Sequence, residues 1–142
     1  MRSLTAVPPM DELACLLGHE LRRLELLLFK VVEGRHLLAA GEARFLPYAA
    51  AEVDRAVERL QEAELRRSML VHRLAGELDV PEEALTMSTL AEDSVEPYRT
   101  IFSDHRRAFL ELAAEIRLAS GYQAALGATA RLTMPSLVDW LQ

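Results

Sequence analysis

Glu33 and His36 stand three residues apart in "EGRH", the spacing that places two metal-ligating side chains on one face of a helix. A carboxylate-bridged two-metal centre in a helical bundle needs two Glu-x-x-His elements and a glutamate from each of two further helices. The chain has one such element, so a solvated helix end is the plainer reading. A second set is His19, Glu20, Glu64, Arg67 and His105. A reversal at Gly41 brings residues near 19 and 64 to similar heights, and a second reversal near Thr86 brings Arg67 and His105 to the same level. His19, Glu64, Arg67 and His105 are therefore expected to form a polar layer across the interior. Such a layer could bind a metal or move protons. Its commoner use is to fix register, because a polar seam residue selects one alignment at some cost in stability.

Cys15 is the only cysteine, which excludes an internal disulfide and a cysteine-rich zinc site. A lone cysteine in an apolar helix is more often packing than nucleophile. The sequence has neither a phosphate-binding P-loop nor a G-x-G-x-x-G turn. The residues thus name no catalytic group, no metal set and no cofactor, and a non-enzyme is expected.

The elements that must position these residues are helices. Asp11 can cap the first, after a leader ending at Pro8-Pro9. Leu17, Leu21, Leu24, Leu28 and Val31 alternate steps of four and three and Leu38 follows a heptad later, a coiled-coil-like seam that Leu13, Leu16 and Leu27 widen. Gly41 ends this helix, which spans 11–40. The second, 45–79, carries Pro47 in its first turn and the seam Val53, Ala56, Leu60, Ala63, Arg67, Leu70, Leu74. Pro81 and a Thr/Ser cluster then predict a loop with one short helical turn at "STLAED". The third helix, 94–120, is expected to start at Ser94 with Pro97 in its first turn, on the seam Tyr98, Phe102, His105, Phe109, Leu112, Ile116 and Ala119. An amphipathic segment follows over 121–142, where Ser136 and Asp139 have capping-box spacing. The whole reads as all-α: one elongated antiparallel bundle of three long helices over 1–142.

Composition narrows the function classes. The 142 residues are 51 % hydrophobic and 27 % charged, which suits a folded helical protein and excludes a wholly disordered one. A net charge of −6, with arginine pairs scattered on mixed faces, argues against a nucleic-acid surface. No run of about eighteen apolar residues is available to span a membrane, and the first residues lack a signal-peptide core. A cytoplasmic location without membrane insertion is expected.

Apolar surface remains unspent. Beyond Ala119 come Tyr122, Leu126, Leu132, Met134, Leu137, Val138, Trp140 and Leu141, and no fourth long helix follows to cover them. This tail either folds back on the bundle or presents a groove to a partner's amphipathic helix.

The stretch from "ELLLFKVVEGRHLLAAGEARFLPYAAAEVDR" onward, then "TMSTLAE", then "EPYRTIFSDHRRAFLELAAEIR", resembles the FlgN family of flagellar export chaperones as found in high-GC Gram-positive bacteria. The resemblance covers roughly Asp11 to Ala119. It rests on helix order, the Ala-Ala-Gly turn, the Thr-x-x-x-Leu turn and the Asp-His-Arg-Arg segment. It implies a cytoplasmic, non-enzymatic helical protein that keeps hook–filament junction (hook-associated) proteins secretion-competent and delivers them to the export gate. It also places client contacts in the C-terminal region, here Leu112, Ile116, Tyr122, Leu126, Leu132, Met134, Leu137 and Trp140. Where the family usually continues as a polar helix, this chain has Gly121, Gly127 and Pro135. The alternatives are a helical interaction module that homodimerises through its tail and, further off, a metal-dependent bundle enzyme.

Overall fold

The structure, a computed structural model, describes residues 3–120 and 137–142. Its named elements are helices: α1 (Pro8–Ala39), α2 (Leu46–Leu78), α3 (Met87–Asp93) and α4 (Tyr98–Ser120), with short 3-10 turns at Ala43–Phe45 and Glu82–Ala84. The fold is all-α. The one β-type contact among the described residues is an isolated parallel bridge between Leu4 and Ser94.

α1 begins earlier than expected. Pro8 and Pro9 open the helix instead of ending a leader, because the first turn needs no N–H donors and proline's fixed φ already suits it. Asp11 does not cap α1; its carboxylate instead accepts the Tyr98 hydroxyl at 2.6 Å. The helix ends as the glycine foretells. Glu42 N–H donates to Leu37 O at 2.9 Å and Gly41 N–H to Leu38 O at 3.1 Å, a Schellman closure. Gly41 takes φ +74, a left-handed conformation that costs a glycine little.

α1 and α2 are antiparallel. Glu12 pairs with Arg73, Glu20 with Arg67 and Lys30 with Glu52, so partners fall along α2 as they rise along α1. α3 is capped by Thr86, whose hydroxyl accepts Thr89 N–H at 3.2 Å. The third long helix starts later than expected, at Tyr98. Residues 93–95 are claimed by the N-terminal segment: Leu4 N–H donates to Asp93 O at 2.7 Å and Val95 N–H to Leu4 O at 3.0 Å. Ser94 is therefore the C-cap of α3 and not the N-cap of α4. Glu96 takes the capping role, accepting Thr100 N–H at 3.3 Å.

α4 runs parallel to α1, as the contacts Asp11–Tyr98 and Ala14–His105 show. α1 is the shared wall: α2 and α4 each pack along it, and α3 packs on α4. Among the described residues α2 and α4 form no extended face with each other. The gap is bridged by a last helical turn at 137–141. Its Leu137 and Leu141 are fully buried beside Leu13, Leu17, Leu60, Leu74, Phe102 and Phe109 in one continuous core.

Candidate partner-binding site

Of the expected polar layer, Arg67 and Glu64 lie in the interior, while His19 and His105 do not join them. Glu20, and not His19, meets Arg67: one carboxylate oxygen accepts from the guanidinium at 2.8 Å and the second lies closer still. Helical phase explains the exchange. Glu20 falls in the buried series Leu13, Leu17, Glu20, Leu24, Leu27, Val31, while His19 points to solvent with its ring 2.7 Å from Arg22. His105 stays on its seam but bonds the Ala14 carbonyl at 3.2 Å and does not join Arg67. Glu64 sits one turn before Arg67, and its Oε1 is buried without a hydrogen-bond partner among the described residues.

Burial dominates the electrostatics here. It lifts the Glu20 carboxyl to about 7, Arg67 pulling it back and Glu64 pushing it further up. Glu64 is raised for the same first reason, against the pull of Arg67. Two carboxylates thus share one buried guanidinium, which is one positive charge too few. Among the described residues no three His, Cys, Asp or Glu side chains converge as a metal would require. Glu33 lies 3.7 Å from Lys30, and His36 is exposed.

The free face of the layer is closed by the C-terminal turn. The Arg67 guanidinium lies 4.3 Å from the centre of the Trp140 ring. Trp140 Nε1 donates to Leu85 O at 3.3 Å, and Arg106 Nε donates to Leu141 O at 3.0 Å. This corrects part of the expected client surface. Leu137 and Trp140 are packed into the protein's own body, because the gap between α2 and α4 offers them more apolar contact than solvent does. Ile116 is 3 % exposed and belongs to the same core. Leu112 is half-buried against it. Tyr122, Leu126, Leu132 and Met134 lie outside the described residues.

An open apolar surface does occur, elsewhere. Leu26, Leu28, Phe29 and Val32 line a shallow trough along the outer side of α1, rimmed by Arg22 and Glu25. Phe29 is 55 % exposed. Leu28 and Val32 keep one side on the core and turn the other outward. The α1–α2 hairpin tip adds the exposed Leu38, Phe45 and Tyr48. The signal for this trough was present in "ELLLFKVV": a seam of threes and fours accounts for Leu24, Leu27, Leu28 and Val31, and leaves Leu26, Phe29 and Val32 off it.

No described helix is long and apolar enough to cross a membrane. No family model, curated protein or solved structure matches the chain.

Proposed function

We propose that the chain is a cytoplasmic, non-enzymatic chaperone of flagellar type III export, holding the C-terminal helices of hook–filament junction proteins for delivery to the export gate. The observation that carries the reading is the α1 trough. It presents apolar side chains at 26, 29 and at 28, 32, the spacing that receives an amphipathic helix. Arg22 and Glu25 at its rim give both signs of charge with which to orient that helix. The resemblance in helix order and turns supplies the client class. A client segment that is disordered until assembled would otherwise self-associate through its apolar face. Lodging that face on Phe29 shields it, and the entropy of ordering keeps the complex releasable.

The alternative, a dimerising helical module, draws on a different patch. Leu65 and Met69 are 64 % and 66 % exposed, one turn apart on the outer flank of α2. Light scattering on the chain mixed with a junction-protein C-terminal fragment separates the two. A one-to-one complex supports the chaperone. A dimer that ignores the fragment, and dissociates on Leu65→Glu, supports the module.

A further inference from the structure

The α1 trough runs into a second groove. Leu26 lines both, and the second lies between α1 and α2, walled by Lys30, Glu52, Arg55, Ala56 and Arg59. Its lining holds three cations and one carboxylate. That carboxylate is already taken: Glu52 accepts from the Lys30 ammonium, which holds its carboxyl below the usual value, and Arg55 adds a smaller pull. Glu33, 3.7 Å from Lys30, shares the same ammonium. Arg55 and Arg59 remain. Both are exposed, they stand one turn apart on α2, and among the described residues neither forms a hydrogen bond or an ion pair. Glu58 and Glu62, exposed on the same helix, do not line the groove. Two solvated guanidiniums do little for the fold itself. Beside an apolar trough they discriminate among the things that lie in it.

We propose that the α1 trough and the α1–α2 groove form one composite site, whose ligand is an amphipathic helix carrying carboxylates at i and i+4 along the edge that faces α2. The inference rests on the trough being the client surface and adds what the client must carry. The ligand's apolar face covers Leu26 and Phe29. Its acidic edge meets Arg55 and Arg59, whose planar fork matches a carboxylate. The discrimination is made at contact: the chain as a whole carries −6, so an acidic partner is not drawn in from afar, and beyond about 10 Å at ~0.1 M salt that repulsion is screened. A second copy of this chain fits less well, because the trough face it would bring has a single carboxylate, Glu25, beside Arg22, for two arginines.

The test uses the full chain and two fluorescein-labelled synthetic peptides read by anisotropy. Both are helix-forming, with leucine at i, i+3, i+4 and i+7. One has glutamate at i and i+4 on a flanking edge, the other glutamine at the same positions. The glutamate peptide is expected to bind roughly fivefold more tightly at ~50 mM salt, a margin that falls below about twofold at ~500 mM. Arg55→Glu/Arg59→Glu inverts the order, and helicity at 222 nm checks that this variant, altered only at exposed positions, stays folded. Phe29→Glu abolishes binding of both peptides. Equal binding of the two peptides that Phe29→Glu still abolishes overturns the acidic edge and leaves the trough standing. A preference for glutamate that survives Arg55→Glu/Arg59→Glu overturns the assignment to α2. No binding of either peptide, or binding that ignores Phe29→Glu, overturns the trough and the inference with it. A peptide-free chain that self-associates, and is made monomeric by Phe29→Glu, overturns the choice of occupant.

Discussion

Arg67→Met isolates the buried charge layer. Glu20 is fully buried and bonded by two oxygens to one guanidinium. Removing that partner strands a carboxylate in the core, which costs about 3–5 kcal/mol in other buried pairs. The cost must depend on pH, and its sign can be worked out. Burial raises the Glu20 carboxyl from 4.5 to about 7 even with Arg67 present. A carboxyl raised on folding contributes stability below its unfolded value and loses it as pH rises through the folded one. In the native protein that window runs from about 4.5 to about 7 and is worth about 3 kcal/mol. Glu64, also raised, works in the same direction. Without Arg67 the carboxyl rises further, so at pH 5 Glu20 is neutral and needs no cation. Urea unfolding followed at 222 nm is expected to show Arg67→Met costing about 3–5 kcal/mol at pH 8 and about half that at pH 5. Glu20→Met/Arg67→Met, which removes both charges, recovers most of the loss at pH 8. A single-variant cost equal at both pH values, with no recovery in the double variant, would refute the reasoning.

Other consequences follow from single contacts. Trp140→Ala is expected to lower global stability by about 2 kcal/mol, below the ~3–5 kcal/mol of a wholly internal ring, because Trp140 is only partly buried. Proteolysis near the C-terminus should nevertheless accelerate, and an unaltered cleavage rate would contradict this. Thr86→Ala removes the cap of α3 and should cost about 1 kcal/mol in the same urea assay, with Thr86→Ser restoring it. The Tyr98 phenol, raised by its bond to Asp11, should titrate above its usual 10 in an ultraviolet pH titration, and Asp11→Asn should bring it down. No difference between the two titrations would remove that contact.

The helices were legible because their signals are local. Gly41 marked its turn by needing a left-handed backbone, and the short helix after the Thr/Ser cluster follows from side chains adjacent in the chain, although its Thr86 cap was not read from them. What the sequence hid depended on partners distant along the chain. Ser94 has every local mark of a helix cap, yet Leu4, ninety residues earlier, takes that backbone into a bridge. His19 and Glu20 are neighbours with equal claim to a polar layer. The choice between them is a matter of phase, decided by which residue continues the run from Leu13 to Val31. The terminal leucines were readable as apolar but not as to what they cover. That depended on α2 and α4 sharing no extended face among the described residues, which no periodicity records. The trough on α1 was written as an excess of leucine and phenylalanine over what one seam can use.

The central claim is that the outer face of α1 receives a client helix, and hydrogen exchange on a complex with a hook–filament junction fragment tests it most directly. The account predicts slowed exchange concentrated over residues 22–32, abolished together with complex formation by Phe29→Glu, while the same variant alone unfolds within about 0.5 kcal/mol of the native chain because its ring is 55 % exposed. A complex that leaves residues 22–32 unprotected and tolerates Phe29→Glu, or a fragment that does not bind at all, would contradict it.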